Sequence, residues 1–284
     1  MKTLFVTDLD GTLLGPDAAL APKDAACINR MTADGIPIAF ATARTIESVR
    51  HILKDIRFRP GMPPAALMNG VLLRDMEKGV YIDRAVFSKE TADCLLWTME
   101  SLEAYPFIYA LQQQQHPKTM QACEQLMTYY KEIPNPAMQA FMDERIQRYQ
   151  KPFRQIQKVS EIDGEIIYFC LVAPEDIMKK TEQAICTIPH IKYTSYRDHY
   201  DQSVFYLEIF DERASKKHAI EFLRTYTGAE TVVCFGDNLN DLPMFEASDI
   251  RVAVEGAHPE LKEKADFIAH DGVPAFILQY LKNQ

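Results

Sequence analysis

Short apolar runs alternate with amphipathic segments in the first and last parts of the chain. The apolar runs predict strands at 4–7, 36–41, 65–68, 231–235, 250–254 and 266–269. Helical spacing predicts helices at 22–33, 45–55, 215–226, 239–247 and 259–264, and a last helix from Val273. Apolar strands that alternate with helices are typical of a parallel sheet with both faces covered. The pattern therefore predicts an α/β fold for these two parts.

The middle of the chain has a mixed pattern. It predicts helices at 88–104, 118–132, 136–150 and 175–186, a strand near 166–172 and strand-like pieces up to 210. A polar tract at 112–115 predicts a loop. We therefore expect a discontinuous core domain at 1–84 and 197–284, which is interrupted by an inserted α+β domain at 85–196.

Composition narrows the classes of partner. The chain has 284 residues and 47% of them are apolar, which is enough to bury a sizeable core. The formal net charge is -9 and the pI is about 5.3. Because an acidic protein does not attract nucleic acid or an anionic membrane, we expect neither as a main partner.

One stretch of the predicted insert departs from this acidic character. Basic residues recur there every third position with aromatic residues between them: Arg145, Arg148, Tyr149, Lys151, Phe153 and Arg154. This pattern fits either a patch for nucleic acid or phosphate, or the solvated face of a helix and its exit loop. Charge at helical spacing usually marks a solvated face, and the net charge of the chain favours that interpretation.

Two further features bear on location. The first apolar run stops at Asp8, too early for a secretory signal, and no run approaches the roughly 20 apolar residues that span a bilayer. The six cysteines are scattered without a Cys-x-x-Cys pair, which indicates reduced thiols. We therefore expect a cytoplasmic protein.

Four short polar segments carry the candidate chemistry. They are DLDGT at 8–12, ATAR at 41–44, SKK at 215–217 and GDNLND at 236–241. Asp8, Thr42 and Asp237 each follow a predicted strand. Ligands bind beyond the carboxyl ends of the strands in an open parallel sheet, so these side chains are expected to meet at one edge.

The acidic residues of these segments predict a bound cation. Two pairs of carboxylates would crowd one edge, Asp8 with Asp10 and Asp237 with Asp241. Each close pair costs on the order of 4 kcal/mol at about 4 Å and an effective dielectric near 20. Oxygen ligands without histidine or cysteine suit Mg²⁺, which favours phosphate substrates.

A phosphate at such a site needs cations and donors. Lys216 supplies a point charge, and Thr12 and Thr42 supply hydroxyl groups. A carboxylate can attack phosphorus to give an aspartyl-phosphate, and a second carboxyl two residues on lies on the same side of an extended chain. This fits Asp8 as nucleophile and Asp10 as general acid and base.

Together, these motifs resemble those of the haloacid dehalogenase superfamily of phosphohydrolases, and within it the Cof-type subfamily of sugar-phosphatase-like proteins. The resemblance is carried by DLDGTLL, FATAR, MNG, the step from Ser215 to Lys216, and FGDNLNDLPMF followed by VAVEGA. It implies a Rossmann-like parallel-sheet core with an inserted cap.

The resemblance also implies roles for individual residues. Asp8 would be the nucleophile and Asp10 the acid and base. The Mg²⁺ ligands would be the Asp8 side chain, the Asp10 backbone carbonyl and Asp237. Thr42, Lys216 and Asn240 would contact phosphate, and Asp241 would orient Lys216 or the metal shell.

The position of the insert resembles the C2 cap arrangement of that superfamily. Too few residues separate Asp10 from Thr42 for a cap there, whereas the large insert lies between Thr42 and Lys216. A cap of this kind is expected to exclude water and to contact the leaving group of the substrate.

The sequence thus predicts a Mg²⁺-dependent phosphatase for small phosphomonoesters, with a phosphorylated metabolite such as a sugar phosphate as partner. One alternative is a phosphomutase similar to phosphomannomutase, which would transfer phosphate within a hexose. Another is a non-catalytic sugar-phosphate sensor, although the intact Asp8 and Asp10 argue against it.

Overall fold

The computed structural model describes residues 2–115, 122–197 and 203–283. The chain forms two compact units, which we call the core unit (Met1–Asp83 with Ser215–Gln284) and the insert unit (Arg84–Ala214). The second junction differs from the predicted boundary at 196. The insert unit runs on to Ala214 because one further strand, Val204–Asp211, belongs to its sheet.

The bounds of the described elements follow in chain order. The strands are β1 Thr3–Thr7, β2 Ile38–Phe40, β3 Ala65–Leu67, β4 Leu72–Asp75, β5 Val80–Arg84, β6 Phe107–Gln115, β7 Ala122–Tyr130, β8 Phe153–Gln155, β9 Glu165–Pro174, β10 Ile191–Arg197, β11 Val204–Asp211, β12 Thr231–Gly236, β13 Ile250–Val254 and β14 Phe267–Ala269. The α-helices are α1 Pro22–Ala33, α2 Ile46–Ile52, α3 Lys89–Ser101, α4 Pro136–Tyr149, α5 Glu175–Ile185, α6 Lys216–Thr227, α7 Leu242–Glu246, α8 Pro259–Glu263 and α9 Val273–Lys282. Three 3₁₀ turns lie at Met68–Gly70, Val159–Glu161 and Leu239–Asp241. None of the described helices is both long and apolar enough to cross a membrane.

The core unit contains the predicted parallel sheet. Its strand order is β14–β13–β12–β1–β2, and every pairing in it is parallel. A parallel bridge between Ala41 and Ala66 places β3 next to β2. All residues of β1 and β12 are buried, so both faces of the sheet are covered. The predicted α/β class is confirmed.

Local signals explain where the helices of the core unit begin and end. α1 begins at Pro22, which is tolerated in a first turn because that position has no helical partner for its missing N–H. The Ser215 side chain caps α6 by accepting a hydrogen bond from the His218 amide at 3.0 Å. Gly228 ends α6 in the left-handed conformation, at φ 64°.

The insert unit is built around a six-stranded sheet with the order β10–β11–β9–β6–β7–β8. Its pairings are antiparallel except that between β7 and β8. α3 and α5 contribute apolar side chains to one core with alternate residues of β6, β9 and β11. The side chains of Phe169, Leu171 and Leu207 are almost fully buried in this core.

Two predictions for the insert were wrong. The predicted helix at 118–132 is strand β7 from Ala122, and its first residues, 118–121, lie outside the described residues. The predicted loop at 112–115 is the end of strand β6. The two strands pair from Ile108–Tyr129 to Gln115–Ala122. Side chains such as Gln and Met favour helices locally, and this pairing overrides that preference.

The basic stretch of the insert is only partly a solvated face. Arg148 is exposed and forms an ion pair with Glu144 at 3.6 Å. Lys151, by contrast, is buried, and its Nζ lies 3.9 Å from the centre of the Tyr109 ring. Phe153 forms part of β8. The interpretation as a solvated face therefore fails for Lys151, which packs against aromatic side chains of the sheet.

Candidate active site

Three carboxylates meet at the carboxyl-terminal edge of the core sheet. Asp8 directly follows β1, and Asp237 directly follows β12. Asp241 ends the 3₁₀ turn that comes next. Each of the three offers a carboxylate oxygen, and these oxygens lie within 4.8 Å of one another. The parallel strands thus bring together residues from opposite ends of the chain.

Lys216 holds two of these carboxylates. Its Nζ donates to Asp8 Oδ1 and to Asp241 Oδ1, each at 2.6 Å. The exposed fractions are 4% for Asp8, 2% for Lys216 and 0% for Asp241, so the three groups are removed from solvent. Lys216 is the first residue of α6, and the Ser215 cap fixes that end of the helix. The helix start therefore sets the position of the ammonium group.

Burial and neighbouring charge change the pKa values of these groups. Burial raises the pKa of Asp8 to about 7, and the charges of Asp241 and Asp237 act in the same direction, whereas Lys216 opposes them. Burial, together with Asp241, also raises the pKa of Asp237. Burial disfavours the ammonium of Lys216, but Asp8 and Asp241 outweigh it, so its pKa is raised. A single buried ammonium thus faces three carboxylates.

The donor set fits a divalent cation that prefers oxygen ligands. Its members are carboxylates only, which suits Mg²⁺. Asp241 has less capacity than the other two to bind a cation, because both of its oxygens already accept hydrogen bonds. Its Oδ2 accepts from the amides of Asp237 at 2.9 Å and Asn238 at 3.3 Å, and its Oδ1 accepts from Lys216. Asp8 and Asp237 are therefore the side chains most available to a cation.

Two glycines allow the carboxylates to come this close. A Cβ at Gly11 would lie 2.3 Å from Asp237 Oδ2, and Gly11 has a φ of +70°. A Cβ at Gly236 would lie 2.7 Å from Asp241 Oδ2. The glycines of the DLDGT and GDNLND segments are thus required by packing, and Gly11 is also required by its backbone conformation.

Asp10 lies outside this carboxylate group. The expectation of an extended chain at Asp10 is wrong, because Asp10 lies in a turn in which the amides of Leu13 and Leu14 donate to the Leu9 carbonyl. Its side chain is 48% exposed. Arg44 binds both of its oxygens, with Nε to Oδ2 at 2.7 Å and Nη2 to Oδ1 at 2.5 Å.

Sequence reasoning missed the contact of Arg44. Its Nη1 also donates to Ser48 Oγ at 2.8 Å, so the guanidinium is fixed from the α2 side. The signal was present, because Arg44 belongs to the ATAR segment that follows β2. A basic residue after a strand is usually solvated, so the ATAR segment alone does not indicate this contact.

The remaining predicted residues differ in how closely they join the site. Thr12 Oγ1 donates to Asp237 Oδ1 at 3.0 Å. Thr42 is fully buried, and its Oγ1 accepts from the Arg44 amide at 3.1 Å. Asn240 is exposed in the 3₁₀ turn, and its side chain makes no hydrogen bond within the described parts of the chain.

Known proteins match this chain over nearly its whole length. A family model described as haloacid dehalogenase-like hydrolase matches residues 5–274. A similar protein, 5-amino-6-(5-phospho-D-ribitylamino)uracil phosphatase YwtE of Bacillus subtilis, is 28% identical over 298 residues, which cover 100% of this chain and 99% of the relative.

Solved structures share the fold over nearly the whole chain. A haloacid dehalogenase-like hydrolase from Bacteroides thetaiotaomicron has a TM-score of 0.77 and 18% identity, with 99% of this chain and 100% of that chain covered. The HAD subclass IIB sugar phosphatase BT4131 has a TM-score of 0.69 and 18% identity, with 99% of each chain covered. At these identities the likeness concerns the fold.

Proposed function

We propose a mechanism and a substrate class for this chain, which belongs to the haloacid dehalogenase-like hydrolase family and is a phosphatase of that family that acts on small phosphorylated substrates. In this proposal it hydrolyses phosphomonoesters of sugars or polyols through an aspartyl-phosphate, with Mg²⁺ as cofactor. The observation that carries the proposal is the buried Lys216, which bridges Asp8 and Asp241 beside Asp237.

The proposed reaction has two steps, formation of the aspartyl-phosphate and its hydrolysis. In the first, a carboxylate oxygen of Asp8 forms a bond to phosphorus while the bond to the leaving oxygen breaks, and Asp10, protonated at one oxygen and held by Arg44 at the other, gives the leaving oxygen that proton. In the second, Asp10 takes a proton from water as the water oxygen attacks phosphorus. This step frees Asp8 and inorganic phosphate and restores the proton to Asp10.

Lys216 keeps Asp8 ready to attack. Its ammonium opposes the rise in the pKa of Asp8 that burial causes, and a 2.6 Å hydrogen bond aims the Asp8 carboxyl. Asp241 in turn fixes the ammonium from the other side. The same ammonium would stabilise negative charge on the transferring phosphoryl group.

The cation site uses Asp8, Asp237 and the Asp10 backbone carbonyl, with Asp241 in support. When bound, Mg²⁺ supplies positive charge that offsets the carboxylates and the phosphate. Thr12 orients Asp237 through its hydroxyl. Thr42 and Asn240 contact the phosphoryl oxygens, which fits the buried position of Thr42 beside β2 and the exposed position of Asn240 in the 3₁₀ turn.

Two of the similar proteins support the substrate class. The Bacillus relative is named for an ester in which phosphate is carried by a ribityl chain, and BT4131 is named a sugar phosphatase. Both names describe phosphate on a polyhydroxylated carbon chain. We therefore propose a sugar or polyol phosphate as the substrate.

A panel of phosphate esters tests the proposal. Purified protein with Mg²⁺ should release phosphate from sugar and polyol phosphates, and Asp8→Asn should abolish release. Acid quenching during turnover should trap a phosphorylated protein whose label maps to Asp8. Wild-type protein that releases no phosphate from any ester, or that moves phosphate within a hexose instead, would contradict the proposal.

A further inference from the structure

A strained turn stands next to the proposed phosphate site. Residues Met68–Gly70 follow β3 and have φ values of 51°, 56° and 88°. The left-handed conformation costs a residue with a Cβ roughly 1–2 kcal/mol, less for asparagine, and persists only where the surroundings impose it. The MNG motif therefore has a conformation that its contacts must hold in place.

Those contacts lie on both sides of the turn. The Asn69 amide donates to the Thr42 carbonyl at 3.0 Å, and the Met68 amide donates to the Arg44 carbonyl at 3.1 Å. On the other side, a Cβ at Gly70 would lie 2.3 Å from the carbonyl oxygen of Ser215. The turn is thus packed between the loop of Thr42 and the start of the helix that carries Lys216.

The Asn69 side chain has unused hydrogen-bonding capacity. The residue is half-buried, and its carboxamide makes no hydrogen bond within the described ranges. A carboxamide offers both a donor and an acceptor, and a hydroxyl group can use both. The backbone of Asn69 is fixed while its polar end remains available to a ligand.

The strand order indicates which part of a substrate would reach it. Asp8 follows β1, Thr42 lies just past β2, and Asn69 follows β3, which a bridge joins to the end of β2. Neighbouring strands are about 4.8 Å apart, so Asn69 stands roughly two strand spacings from Asp8. In the proposed reaction a phosphoryl group held by Asp8 and Thr42 would fill the first of these spacings, which leaves the second to the carbon chain of the ester.

We propose that Asn69 is a specificity-determining residue whose carboxamide hydrogen-bonds to a hydroxyl group of the leaving alcohol. This inference rests on the proposed function, since it assumes that an ester is cleaved at Asp8. It assigns part of the selection of polyhydroxylated substrates to the core unit, at the strand next to the one that carries Thr42.

The substitution Asn69→Gly tests this inference. Glycine adopts positive φ without cost, so the turn is preserved and only the carboxamide is lost. We expect kcat/KM for glycerol 1-phosphate to fall by about 10-fold to 10²-fold, because a hydroxyl-binding group is lost. The values for n-propyl phosphate and p-nitrophenyl phosphate, whose leaving groups carry no additional hydroxyl, should stay within about 2-fold of wild type.

The pattern across the esters separates the outcomes. Equal losses on all three esters would assign Asn69 a structural role and overturn the inference, as would unchanged values on all three. Wild-type protein that cleaves no ester would overturn the proposed function and this inference with it. Wild-type activity without preference for glycerol 1-phosphate over n-propyl phosphate would overturn the inference alone.

Discussion

At the scale of single residues, Lys216 shows how position determines the chemistry of a side chain. Its neighbour Lys217 is half-exposed and forms an ion pair with Glu246 at 3.6 Å. Lys216 is buried between two carboxylates at 2.6 Å. The two lysines are the same type of residue at adjacent positions in the first turn of α6. They therefore form a matched pair for substitution.

This pair gives a direct prediction. Lys216→Ala should lower kcat for phosphate release by about 10²-fold to 10³-fold, the usual effect of losing a group that stabilises the transition state. Lys217→Ala should change kcat by less than about 2-fold, since exposed ion pairs contribute little. Steady-state kinetics of both variants on one substrate measure the difference, and equal losses would refute the role of Lys216.

Arg44 allows a second prediction at this scale. Arg44→Lys retains the charge but loses the planar guanidinium that fixes the Asp10 carboxyl, so Asp10 is positioned less firmly for proton transfer. A poorly departing sugar alkoxide needs that proton more than p-nitrophenolate does. We therefore expect a larger fall in kcat for sugar phosphates than for p-nitrophenyl phosphate.

A similar fall on both classes of ester would mean that Arg44 supports the fold and not proton transfer. Thermal unfolding of the Arg44→Lys variant provides the control, because the midpoint should stay close to that of the wild-type protein.

The positions of single residues follow from the sequence where a strand delivers the side chain. Asp8, Thr42 and Asp237 lie at or just past strand ends, and strand ends are visible as the points where apolar runs stop. The contact between Asp10 and Arg44 was not visible, since it depends on the turn that starts at Leu9. Such a turn is set by backbone hydrogen bonds that leave no simple pattern in the sequence.

At the scale of elements, the turns after the strands matter as much as the strands. Gly11 combines a φ of +70° with close approach to Asp237. Gly35, after α1, has a φ of +81°, but a Cβ added there would meet no atom of the described chain within 4 Å. Both glycines therefore have a positive φ, but only Gly11 is closely packed against another residue.

Alanine at these two positions separates the two effects. Gly35→Ala should lower the free energy of unfolding by about 1 kcal/mol and leave activity unchanged. Gly11→Ala carries the same backbone cost and also displaces the Asp237 carboxylate, so it should raise the Mg²⁺ concentration needed for half-maximal activity. Denaturant unfolding and Mg²⁺ titration measure the two quantities, and equal Mg²⁺ requirements in both variants would contradict the argument.

The elements of the core were more predictable than those of the insert for a physical reason. α1 and β13 were predicted with the bounds observed, because a buried parallel strand and a helix with Pro at its start each have a strong local signal. β7 has alternating contacts on two faces, and its sequence ACEQLMTYY contains residues that suit helices equally well. Its pairing with β6 decided its structure, and that pairing is not a local property.

At the scale of the whole molecule, the buried carboxylates of the site link stability to pH and, in the proposed function, to Mg²⁺. The pKa of Asp8 is raised from 3.8 to about 7 by burial and the neighbouring carboxylates. A folded-state pKa above the unfolded one gives a contribution to stability that is complete below about pH 4 and is lost as pH rises through about 7. The metal-free protein should therefore lose stability across this window.

A divalent cation should reverse that loss. In the proposed function Mg²⁺ binds the ionised carboxylates, so it should raise the free energy of unfolding more at pH 8 than at pH 5, by up to about 2.7 kcal/mol at 100 times its dissociation constant. Scanning calorimetry with and without Mg²⁺ measures this difference. In Asp8→Asn the pH dependence of the Mg²⁺ effect should weaken, and an equal Mg²⁺ effect at both pH values in wild type would contradict the prediction.

The hydrogen bond between Lys216 and Asp8 joins residues 208 positions apart in the sequence. β1 likewise takes one of its two neighbours, β12, from the last part of the chain. As the protein leaves the ribosome, β1 therefore has only part of its sheet, and its apolar surface lacks a partner until α6 and β12 have been made. The insert unit has all six of its strands before that point, so it can fold first, and the two halves of the active site are assembled last.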